Sequence, residues 1–199
     1  MANVTKDSAA EVSSYMTAIW NNFDDGTESL EHYADVITAL GASTASSSAE
    51  IAAGLEKFAS IGKTIGLSYE YATSALATLV ANTRQSSETI GTGLRTIFSR
   101  LQGLKLGETL EDGVDLNKYS AALNSVGVQV LDQAGNLKEM DTILDDLASK
   151  WDRLSNAQQT ALAQTVGGVR QFTNLISLME HWDDMKENLD TAEKSTGSL

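Results

Sequence analysis

A chain of 199 residues, 42% of them apolar, can bury a core and is not a disordered polyelectrolyte. Its net charge of −13 makes it a poor general binder of nucleic acid, because phosphate contacts need cations. Cysteine is absent, which excludes disulfides and thiol chemistry, and so is proline, where about ten would be usual. Without the residue that breaks helix interiors, a mainly helical protein is expected, with glycine supplying most of the breaks.

Apolar residues recur at helical spacing along almost the whole chain. The first stripe is Val12, Tyr15, Met16, Ile19 and Phe23, ended by Asp24-Asp25-Gly26. Thr27 is a plausible N-cap for a second helix, with Leu30, Tyr33, Ala34, Ile37 and Leu40, closed by Gly41. Ile51, Leu55, Phe58 and Ile61 form a third stripe that stops near Gly66. Ser68 can cap a fourth helix carrying Ala72, Ala75, Leu76, Leu79 and Val80. A fifth starts at Ser86 or Ser87 and bears Ile90, Leu94, Ile97, Phe98, Leu101 and Leu104.

A sixth, short helix with Leu116, Tyr119, Leu123 and Val126 ends at Gly127. The pattern then changes. Val128 and Val130 alternate before a Asp-Gln-Ala-Gly-Asn turn, so a small β-hairpin is expected over about 128–140, with Gly135 supplying a positive φ. Helical spacing returns with Ile143, Leu144, Leu147, Trp151 and Leu154, and Ser155 with Gln158 forms a capping-box start for the next helix. Gly167-Gly168 should break it, and a long helix is expected from about Val169 to Lys194. On that helix Leu175, Leu178, Trp182, Met185, Leu189 and Ala192 step at heptad spacing, which suits either an ordinary bundle or a partner helix. The expected fold is a mainly α bundle of short amphipathic helices, with a module over 1–168 and a long helix over 169–199 leading into further chain.

Motifs for chemistry are incomplete. Gly62-Lys63-Thr64 resembles the end of a P-loop, but Lys57 stands where its first glycine should be. Gly91-Thr92-Gly93 has Thr96 in place of a third glycine and reads better as a close helix contact. His32 and His181 have no second ligand at zinc spacing. Glu108, Glu111, Asp112 and Asp115 lack the alternating order of a calcium loop. There is no G-x-S-x-G elbow, and aromatics at 6% offer few platforms for sugar rings. No catalytic, cofactor-binding or metal-binding residue is assigned, and an enzyme is not expected.

Charge is unevenly spread. Residues 1–56 hold Lys6 against nine acids, whereas residues 57–105 hold Lys57, Lys63, Arg84, Arg95, Arg100 and Lys105 against Glu70 and Glu88. Arg84, Arg95, Arg100 and Lys105 could form a docking surface for another subunit, as could the seam Leu175, Leu178, Trp182, Met185 and Leu189. Equally, the arginine stems could cover core edges while their heads pair with acids, the downstream Glu108–Asp115 loop included. MANVTKDSAAEVSS lacks the layout of a signal peptide, and no apolar run reaches the roughly 18 residues of a membrane span.

Three stretches taken together carry a family resemblance: IFSRLQGLKLGETLEDG, then LNKYSAALNSVGVQVLDQAGNLKEMDTILDDLASKW, then LAQTVGGVRQFTNLISLMEHWD. Their ordered succession resembles the shared helical segment of phage tail tape measure proteins, and the upstream LEKFASIGKTIGLSYEYATSALATLVANTRQSSETIGTGLRTIF fits the same family. The resemblance covers nearly the whole chain from about residue 25. It implies a structural tail protein, a piece of a longer chain, that works in tail assembly and tail-length determination without catalytic residues. It also implies other tail proteins (tube, tip and assembly chaperones) as partners, and self-association of the intact protein. The location implied is the tail interior of the virion, or of a prophage product, after assembly in the host cytoplasm. Two other classes compete: a helical adaptor or signalling module, which should show unbroken heptads, and a cell-wall-acting enzyme.

Overall fold

A computed structural model describes residues 8–24, 26, 28–106 and 118–198, the side chains of Lys63 and of residues 102–106 excepted. Ten α-helices follow one another among the described residues: α1 (Ala9–Phe23), α2 (Leu30–Ser43), α3 (Ser48–Ile65), α4 (Tyr69–Asn82), α5 (Ser87–Leu106), α6 (Lys118–Ser125), α7 (Met140–Trp151), α8 (Asn156–Gly167), α9 (Phe172–Glu180) and α10 (Trp182–Glu193). Serine starts many of them. Ser8 and Ser155 close full capping boxes with Glu11 and Gln158, and Ser29 and Ser68 accept from the N–H of His32 and Tyr71. The cap of α2 is therefore Ser29 and not Thr27, which lies outside the described residues.

The centre of the fold is the crossing of α3 and α5, the largest helix pair, with α4 packed on both. Glycines set how close they come. A Cβ on Gly91 would lie 2.2 Å from the backbone oxygen of Gly54, and one on Gly54 would lie 2.9 Å from the Leu76 methyls and the Ser87 oxygen. Three helices thus meet where side chains are missing, as close helix crossings require. Phe58, Leu55, Leu76, Leu79, Leu94, Ile97 and Phe98 fill the space around the crossing and are buried. Gly41 does not end its helix as its type suggested. It sits inside α2, where a Cβ would strike the Ser48 backbone nitrogen at 2.6 Å, and so permits the tight α2–α3 corner.

Aromatic rings close the other side of α4. Tyr69 packs edge-on against Phe23 and Tyr33, with centroids 5.2 and 4.7 Å away, and its hydroxyl donates to the Tyr33 carbonyl at 2.8 Å. Burial holds that hydroxyl protonated well above the ordinary tyrosine range.

The segment after Gly127 departs from the expected hairpin. Gly135 does take a positive φ of 85° and the turn is present, but the described residues contain no strand, only one antiparallel bridge between Leu131 and Leu137. The loop is organised by a side chain instead. Asp132 accepts from the backbone N–H groups of Asn136 and Ala134 at 2.8 and 2.9 Å, and chiefly the Asn136 bond holds its carboxyl below the usual range. Val128 and Val130 are pinned in the core, and α7 begins at Met140, so the arms have no length over which to pair.

The expected long C-terminal helix is likewise two helices. Gly168, at φ 75°, ends α8, and residues 169–171 turn before α9 begins. His181 then leaves helical geometry at φ −109° and ψ 34°, with its ring Nδ1 bonded to the Ser177 carbonyl at 2.8 Å, and α10 starts afresh at Trp182. One hydrophobic cluster nevertheless runs from Met16 to Ala192. No described helix is long and apolar enough to cross a membrane.

Candidate interaction surfaces

The structure separates the basic residues singled out from sequence. Arg84 is exposed in the α4–α5 turn, and Arg95 is exposed on α5. Arg100 is half-buried and committed internally: its Nη1 donates to the Thr165 carbonyl at 3.3 Å. Its guanidinium also lies so close over Gly168 that a Cβ there would meet Nη2 at 2.5 Å. A cation is thereby placed at the C-terminal end of α8, where carbonyls are unpaired and the helix dipole is negative. The Lys105 side chain and the Glu108–Asp115 loop lie outside the described residues.

The heptad seam is turned inward. Leu175, Leu178, Met185 and Ala192 are buried, and Trp182 and Leu189 pack against the same core. Their spacing is satisfied within the chain by α9 and α10 lying on α4, α8 and α2. Around that seam runs a set of polar contacts. Asn188 Nδ2 donates to Thr78 Oγ1 at 2.9 Å, Asn82 Nδ2 to Asp184 Oδ2 at 3.1 Å, and Lys186 pairs with Asp145 at 3.4 Å.

Two arrangements were not read from sequence. Lys150 Nζ donates to the Gly127 carbonyl at 2.8 Å while pairing with Asp146, which ties α7 to the end of α6. Gln85 Nε2 donates to the buried Asn174 Oδ1 at 2.8 Å, and Asn174 Nδ2 donates to Gln171 Oε1 at 2.8 Å. Gly93 makes room for this pair, since a Cβ there would meet Gln171 Oε1 at 2.5 Å. The Gly91-Thr92-Gly93 string was the available signal: its two glycines serve two different neighbours. Both histidines have structural partners, His32 Nε2 lying 2.5 Å from Glu70 Oε1 across α2 and α4. Among the described residues no group of three His, Cys, Asp or Glu side chains is placed to hold a metal ion. The surface instead offers helix faces and a few isolated apolar side chains, Val169 the most exposed at 79%.

Comparison with known proteins gives this helical surface its context. The family model of the phage-related minor tail proteins matches residues 1–168. A probable tape measure protein of Escherichia phage P2 is 25% identical over 170 residues, covering 84% of this chain and 19% of that protein. The chain therefore spans about a fifth of that relative's length. No solved structure matches. With more than half its length matched, the chain belongs to the phage-related minor tail protein family and is a component of phage tails.

Proposed function

We propose that this chain is a folded helical module of a tail tape measure protein, structural and not catalytic, that takes part in tail assembly and in setting tail length. The observation that carries the reading is the similarity of 84% of the chain to a protein named as a probable tape measure protein. Its partners on this reading are the tail tube, the tail tip, assembly chaperones and other copies of the intact protein, and its place is the tail interior after assembly in the host cytoplasm.

The packing bears on what the module can contribute to length. A fully helical 199-residue chain would span about 300 Å at about 1.5 Å per residue. Helices that fold back on one another around a shared core cover much less. The module then acts as a folded unit that adds little length of its own, and most of the length comes from the rest of the protein. Tandem duplication of this segment in its phage, with tails measured by electron microscopy, tests this. Tails unchanged in length, or longer by far less than 300 Å, are expected, whereas tails longer by roughly the whole helical length would overturn the folded-module reading.

A further inference from the structure

α10 and the residues after it are fastened differently from every other helix around α4. Only Met185 and Ala192 of α10 are fully buried, with Trp182 and Leu189 half-buried beside them. The rest of its hold on the body is polar: Asn188 on Thr78, Asp184 on Asn82, and the half-exposed pair of Lys186 with Asp145. At its far end the chain turns at Ser195, and the Gly197 N–H donates to Oδ2 of Asp35 at 2.8 Å, a carboxylate buried on α2. At its near end the backbone is already broken at His181, while α9 is held independently by the Gln85–Asn174–Gln171 bonds.

Part of what lies beneath is polar and already bonded within its own helix. The Thr78 hydroxyl donates to the Ser74 carbonyl of its own helix at 2.7 Å, and Thr73 does the same to Tyr69 at 2.6 Å, so neither depends on α10 for a partner. The Tyr71 hydroxyl, on the ring that meets Trp182, and the Ser195 hydroxyl are buried with no protein partner. Hydration would satisfy both, and buried polar groups without partners lower the cost of opening. A preformed hinge, a polar seam and an end clasp on one carboxylate occur together only here among the described helices.

We propose that residues 182–198 form a releasable strap that opens as a unit about His181 and bares the α2–α4 face carrying Asp35, Tyr71 and Thr78. Opening of this kind is a local unfolding step below the global one. Release lets the body of the fold stay intact while the segment that follows α9 changes position.

Hydrogen exchange read by mass spectrometry on the whole chain tests the strap. The α10 amides should exchange about tenfold or more faster than those of α3 and α5. Asp35→Ala should speed α10 further and leave α3 and α5 unchanged. Asn188→Ala, which removes a contact of the seam and no buried charge, should do the same and serves if the Asp35 variant does not fold. Equal protection of α10 and α3 overturns the proposal. So does acceleration of all helices together in the variants, or no change of α10 in either.

Discussion

The α3–α4–α5 centre and the α7–α10 segment are both helical and share one apolar core, yet what fixes their contacts in detail differs. At the centre, contact distance is set by atoms that are absent: Gly54 and Gly91 let backbones touch, and aliphatic side chains fill what remains. In the C-terminal segment, apolar burial is joined by particular polar groups, such as Arg100 on the end of α8, Lys150 on the Gly127 carbonyl and Asn174 between two glutamines. The first kind of packing fails all at once, because a close crossing has no flexible atom to yield. The second fails contact by contact, each with its own modest energy. For a tail protein, this contrast allocates rigidity to the crossing and adjustability to the C-terminal helices.

The largest break in that contrast should come from Leu101→Asp on the buried face of α5, where an unpaired carboxylate costs several kcal/mol, about 4 or more. Urea denaturation should find this variant largely unfolded, and a midpoint close to the parent's would place Leu101 outside the core. Next comes Gly91→Ala. Alanine improves helix propensity by about 1 kcal/mol, but its Cβ would meet the Gly54 backbone oxygen at 2.2 Å and separate two helices, so a net loss of about 2–3 kcal/mol is expected. Gly93→Ala sharpens the comparison two residues away. Its Cβ meets the side-chain ends of Gln171 and Asn174, which can turn aside, so the loss should stay near 1 kcal/mol or below. Equal losses for the two glycines, measured in the same denaturation series, would mean the crossing is not the rigid element.

Smaller differences should separate the arginines. Arg100→Ala removes packing over Gly168 and a charge-assisted bond to Thr165, for about 1 kcal/mol, while Arg95→Ala on the exposed face should change stability by less than about 0.5 kcal/mol. Similar losses for both would say that α5 is stabilised by its net charge and not by that one contact.

The same contrast explains what could be read in the sequence. Heptad and 3.6-residue spacing reports which face of a helix is buried, so the core stripes from Met16 to Trp151 and the Ser155–Gln158 cap were legible from residue types alone, the Leu104 side chain and Leu116 lying outside the described residues. Gly91 and Gly93 were legible as small residues for a close contact, although not the two neighbours they face. Spacing does not report what covers a face. Leu175, Leu178 and Met185 carry the pattern of an intermolecular seam, and the chain satisfies it internally. Nor does spacing report the break at His181: its dihedrals leave the helical region and its ring bonds the Ser177 carbonyl one turn back, and neither is marked by the apolar pattern. The turn at 132–136 was visible through Gly135, but a turn held by one aspartate does not need strands.

The smallest effect expected is that of Lys186→Ala. Its amine lies 3.4 Å from Asp145, and the two side chains are 46% and 43% exposed, so both ends of the pair remain in water. Coulomb attraction there is weakened by solvent and by salt and is opposed by the entropy of holding a long lysine in one place, which leaves about 0–0.5 kcal/mol. The surrounding acids Asp183, Asp184 and Glu187 add slightly to the loss, since removing a lysine from an acidic helix leaves their repulsion less compensated. Thermal denaturation at low and high salt separates these contributions: a small loss at low salt that vanishes as salt rises is the expected result. A loss above about 1 kcal/mol that persists in high salt would show the pair to be shielded from solvent. The polar seam of α10 would then belong with the rigid centre, and the division drawn between the two regions would fail at that helix.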